Sequence, residues 1–101
     1  MRYLEFNVDH QLLTKNNDFE GLYKGSSGYL KASFKCDESW NSYTKVARFR
    51  FNGDEEFVAL TNQNDCSIPD SVTKHELFKV SLVGVSGSTE IRTNEELVRQ
   101  E

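Results

Sequence analysis

The sequence predicts an all-β domain, an immunoglobulin-like antiparallel β-sandwich of seven to eight short strands. Three observations carry that expectation. Apolar and polar residues alternate in several short runs, most clearly from Leu77 to Val85, which gives each strand one buried and one wet face. Turn residues interrupt these runs about every eight to twelve positions, the spacing of a sandwich. No run shows a sustained helical period. A small β-barrel satisfies the same pattern and is the alternative architecture.

Taken in order, Leu4, Phe6 and Val8 alternate with Tyr3, Glu5 and Asn7 as a first strand. Asp9-His10 turns it into Gln11–Thr14. Lys15 to Ser27 is rich in Asn, Gly and Ser and reads as a loop, with a short strand allowed at Gly21–Lys24. Gly28 opens the next strand, with Leu30, Ala32, Phe34 and Cys36 on one face. A polar connection follows, Asp37–Tyr43, built around Trp40.

From Lys45 to Phe51, Ala47, Phe49 and Phe51 alternate with Val46, Arg48 and Arg50. Asn52-Gly53 is the strongest hairpin signal, because a type I′ turn needs positive φ at both central residues. Glu55–Leu60 is its partner strand. Thr61–Asp65 is a second loop and Cys66–Ile68 a short strand stopped by Pro69. Asp70–His75 is the one place for a helical turn, with Pro69 at its first position. Phe78–Val85 is the core strand. Ser86-Gly87-Ser88 turns it into Thr89–Thr93, and Leu97–Arg99 supplies a last edge segment.

The 101 residues suit one domain, residues 1–101, large enough to build a core without staples. Seven Phe, four Tyr and one Trp supply the bulk of that core and argue against disorder. The formal net charge of −4 disfavours nucleic acid as a partner, since that needs a cationic footprint. No apolar run approaches a membrane span, and the alternating N-terminus is unlike a signal peptide. The chain is expected in a cytosol, or released from one by lysis.

Cys36 and Cys66 each fall in a candidate strand. They are either two reduced, buried thiols or an inter-strand bridge. With His10 and His75 they share no metal-ligand spacing, so neither a metal nor another cofactor is expected. Carboxylates cluster at Asp37-Glu38, Asp54-Glu55-Glu56 and Glu95-Glu96, in or beside turns where solvated acids are ordinary. No nucleophile elbow, P-loop or dinucleotide fingerprint is present. The expectation is a protein that is not an enzyme. Arg48 and Arg50 read as a solvated strand face rather than a nucleic-acid stripe. Trp40, with Tyr43 three residues on, is either a plug over one end of the sandwich or an interface anchor.

Three segments are carried together: Gly28–Phe34 leading to Trp40–Phe49; Asp65-Cys66-Ser67-Ile68-Pro69; and Phe78–Asn94. Over residues 22–99 they resemble a small β-domain of virion proteins from tailed phages and prophages of Gram-positive bacteria. That domain is often the N-terminal module of head-fibre or baseplate-type proteins. The resemblance implies a non-enzymatic structural or accessory protein that docks on another virion protein and is often a homo-oligomer. It places the chain in the virion, and in the host cytoplasm during assembly. The sequence ends at Glu101 without the family's fibrous extension, as a one-domain member or an N-terminal module would.

Loops on a rigid scaffold are the usual place for contact residues. Trp40 and Tyr43, with Phe19 and Tyr23 in the long loop, are therefore the candidate protein-binding residues. Two other functions are open. One is a small phage-encoded inhibitor of a host defence protein, its acidic surface suited to a basic partner. The other is a carbohydrate-binding module using Trp40, Tyr29 and Tyr43.

Overall fold

The computed structural model describes residues 1–101. The alternating runs form nine strands: β1 (Arg2–Asp9), β2 (Leu12–Lys15), β3 (Leu30–Cys36), β4 (Thr44–Phe51), β5 (Asp54–Ala59), β6 (Asp65–Ser67), β7 (Leu77–Ser86), β8 (Thr89–Arg92) and β9 (Glu96–Arg99). One four-residue helix, α1 (Asp70–Thr73), lies where the helical turn is expected. Pro69 caps α1 rather than occupying its first position. A single 3-10 turn, Glu38–Trp40, replaces irregular chain in the polar connection.

The strands make two sheets packed as a β-sandwich. One has the order β2-β1-β3-β6; the other runs β5-β4-β7-β8, with β9 also on β7. The count is nine against the expected seven to eight, and the last edge comes in two pieces, as its two sequence segments suggest. β8 pairs the C-terminal half of β7 and β9 its N-terminal half. Between them Leu82 N–H donates to the Thr93 hydroxyl, and Thr93 N–H returns to Leu82 O.

One pairing departs from an antiparallel sandwich. β1 and β3 run parallel, Arg2 opposite Leu30 through Val8 opposite Cys36. Parallel neighbours need a long crossover. The Asn16–Tyr29 segment supplies it, and no strand forms at Gly21–Lys24. Arg2 anchors this crossover, its guanidinium donating to the carbonyls of Asp18, Glu20 and Gly21.

The core forms where the inward residues of both sheets meet. Leu4, Phe6, Val8, Leu30, Ala32 and Phe34 face Ala47, Phe49, Phe78, Val80, Leu82 and Val98. Phe6 stacks on Phe34 at 5.2 Å and takes the edge of Phe19 at 5.2 Å. The Asn52-Gly53 turn has positive φ at both residues, 46° and 82°, and fixes the β4–β5 register from Phe51–Asp54 onward. At the opposite corner the two sheets are tied by a side chain. Asn94 Oδ1 accepts from Leu13 N–H and Asn94 Nδ2 donates to Leu13 O, reproducing a strand pairing across the sandwich. Gln11 Nε2 adds a bond to Arg92 O.

Candidate functional site

Tyr23 and Tyr29 stand out as exposed rings on the Arg2-anchored crossover. They are 67% and 45% exposed. With Arg2, Leu22, Ser26 and Leu30 they line a shallow hollow of about 150 Å³. The hollow is rigid for identifiable reasons. Arg2 N–H donates to Tyr29 O, Lys24 N–H to Glu101 O and Glu101 N–H to Leu22 O. Thr73 Oγ1 donates to Ser26 O, and Ser27 Oγ to Asp70. Tyr3, 41% exposed, follows Arg2 on the outer face of β1. Tyrosines on a fixed frame present large area at low entropic cost, the property of contact surfaces.

The four sequence candidates separate on burial. Trp40 is fully buried, so it offers no surface to a protein or a sugar. Its indole N–H donates to His10 O at 2.8 Å and its ring closes one end of the sandwich over Gly84. The plug reading of Trp40 is the one the structure supports. Tyr43 and Phe19 are half-buried against the core, Tyr43 beside Trp40 at 6.1 Å and Phe19 under Lys15 at 5.2 Å. Only Tyr23 of the four is broadly presented to solvent. The structure does not assemble Tyr29 with Trp40 and Tyr43 into a sugar platform. Tyr29 lies on the crossover with Tyr23, whereas the other two pack at the Trp40 plug.

A second cluster joins Asp9, His10 and Asp37, which no sequence spacing signals. It locks a turn. Asp37 accepts from His10 N–H and from both the N–H and the hydroxyl of Ser39, capping the 3-10 turn. Those bonds, the Ser39 hydroxyl first, hold the Asp37 carboxyl down at about 2. His10 sits at φ 55°, and its ring N–H bonds Asp9 at 2.8 Å. That hydrogen bond, with the charge of Asp37 3.8 Å away, raises the imidazole above its ordinary range. Asp37's oxygens are already engaged by these donors.

A concavity of about 620 Å³ opens beside the Asn52-Gly53 turn. Arg48, Arg50, Lys79, Leu77 and Leu97 line it. Arg48 is held by Glu55 at 2.7 Å and Arg50 by Glu95 at 2.9 Å, so Glu55 and Glu95 act as partners of the strand-face arginines. Cys36 and Cys66 are free. Cys66 pairs with Ala32, and Cys36 lies four residues further along β3, about 13 Å away at strand rise. That excludes a bridge. Burial pushes the thiols up to about 11 at Cys36 and about 12 at Cys66. Gln100 is fully buried and donates to Thr73 O and His75 O, while its Oε1 meets no donor.

No helix is long and apolar enough to cross a membrane. No family model, curated protein or solved structure matches the chain.

Proposed function

We propose that this chain is a non-catalytic docking module that binds another protein through the tyrosine-lined end of its four-stranded sheet. The observation that carries the reading is the pair of exposed rings, Tyr23 and Tyr29, on a crossover fixed by Arg2 and the C-terminal residues. Exposed aromatics on a rigid frame lose little freedom on binding. The resemblance to phage virion β-domains supplies the partner class, another virion protein, and the location, the particle.

The test is mass spectrometry of purified particles combined with capture by the purified chain. The chain is expected in particles, and capture of one virion protein is expected to weaken at least about tenfold in a Tyr23→Ser/Tyr29→Ser variant. Absence from particles, or capture indifferent to both tyrosines, would remove the reading. The net charge of −4 favours a second function, inhibition of a basic host defence protein. A stoichiometric host protein captured in place of a virion protein would select it.

A further inference from the structure

We propose that β5 is a self-pairing edge: two copies of this chain associate through an antiparallel β5–β5 ladder centred on Phe57. The inference stands apart from the tyrosine surface, which lies on the other sheet.

Sheet edges expose unpaired backbone donors and acceptors, and proteins generally cover them. Three of the four edges here are short, broken or tied. β2 has Leu13 capped by the Asn94 amide. β6 has three residues, and Asp65 O already accepts from Thr61 N–H. The β8–β9 edge is interrupted at Thr93–Glu95, Arg92 O is taken by Gln11, and β9 leaves only Leu97 and Arg99 outward.

β5 is the exception. The Phe51–Asp54 closing pair and the Leu60 N–H bond to Lys45 O set which residues face β4. They are Asp54, Glu56 and Val58. The N–H and C=O groups of Glu55, Phe57 and Ala59 therefore point away from the sheet, in one unbroken run, and no backbone bond reaches them. All three residues are exposed, Phe57 by 52%.

The occupant follows from the order of side chains. The first half of β5 is acidic, Asp54-Glu55-Glu56, and the second half apolar, Phe57-Val58-Ala59. An antiparallel second copy centred on Phe57 sets Glu55 opposite Ala59, Glu56 opposite Val58, and Phe57 opposite its own counterpart. Every outward group then finds a partner and no carboxylate faces another. A parallel copy would stack acid on acid, which like charges across a ladder oppose. Glu55 is already paired with Arg48, and Glu56 accepts from the Ser71 hydroxyl, so little uncompensated charge is buried. Arg48 lies over each Phe57 ring at 5.9 Å and would flank the aromatic pair. Six residues a side make a small interface, so association is expected at micromolar concentrations or above.

The experiment uses the intact chain in sedimentation velocity and in amide hydrogen exchange by NMR, from about 20 µM to about 1 mM. Sedimentation is expected to show a monomer–dimer equilibrium. Protection at Glu55, Phe57 and Ala59 is expected to rise about tenfold with concentration while β4-facing amides stay constant. Ala59→Pro removes one outward N–H and leaves the β4 bonds intact; the dimer should weaken at least about tenfold. Phe57→Lys and Phe57→Glu should each be monomeric alone and associate when mixed. A monomer at about 1 mM, or a dimer whose concentration-dependent protection lies outside β5, overturns the proposal.

Discussion

Replacing Gly84 by alanine adds one methyl group to the middle of β7, and its predicted effect has a definite sign. Gly84 does not use the left-handed region, so its backbone accepts alanine. Relief of glycine's chain entropy alone would then stabilise the fold by about 0.4–1 kcal/mol. The geometry opposes this. A Cβ at Gly84 would lie 2.8 Å from Trp40 Cζ3 and 2.9 Å from Ile91 Cγ2. Ile91 is half-buried and can turn aside. Trp40 cannot, because it is fully buried and its indole N–H is held by His10 O. Overpacking of this kind costs about 1–3 kcal/mol, which outweighs the entropy gain except where the two extremes meet, so the net expectation is a loss of up to about 2.6 kcal/mol. At this size each kcal/mol lost lowers the melting temperature by about 4–8 °C. Trp40 is the only tryptophan, so urea unfolding followed by its fluorescence reports directly on the contact. In a Trp40→Phe background, followed by circular dichroism, the same alanine should cost at least about 1 kcal/mol less. A Gly84→Ala protein as stable as its parent or more so, or an unchanged cost without the indole, would refute the account of Trp40 as a plug seated on Gly84.

Two other outcomes are expected. Asn94→Ala removes both bonds to the Leu13 backbone and should cost about 1–3 kcal/mol in denaturant unfolding, with faster exchange of the Leu13 amide. Asp37 carries a carboxyl depressed to about 2 in the folded chain. The stability it contributes is therefore complete above its unfolded value, near 4, and is lost as pH falls from about 4 to 2. His10 has the opposite sign: its raised imidazole contributes fully below its unfolded value and loses that contribution as pH rises through its folded value. Asp37→Asn should flatten the acid limb of the stability–pH profile and lower the His10 titration midpoint seen by NMR.

What the residues disclose in advance is mostly local. Asn52-Gly53 announces the β4–β5 hairpin because few other pairs tolerate positive φ twice. The inward and outward faces of β4 follow from alternation alone, and Ala47, Phe49 and Phe51 are buried as expected. The parallel β1–β3 pairing is not legible, because nothing in either strand encodes the direction of a neighbour reached through a long crossover. Nor is the Asn94–Leu13 tie, which joins residues 81 apart. The burial of Trp40 did leave a trace. Gly84 interrupts an apolar strand at an inward position, and a strand glycine often marks the close approach of something large. Tyr23 is recognisable as an exposed loop aromatic. Its setting is not, since the Arg2 anchor and the C-terminal bonds come from the two ends of the chain.

The amide of Asn94 also sets a limit on growth. By stitching the edge of one layer to the interrupted margin of the other, it denies incoming chains the corner where a ribbon of copies would have to continue. A molecule with one such seam and one long open hem can accept a single neighbour and then presents no equal hem on its far side. Loosening the seam would thus convert a terminating contact into a repeating one, and Asn94→Ala protein stored at high concentration is where fibres should first be sought.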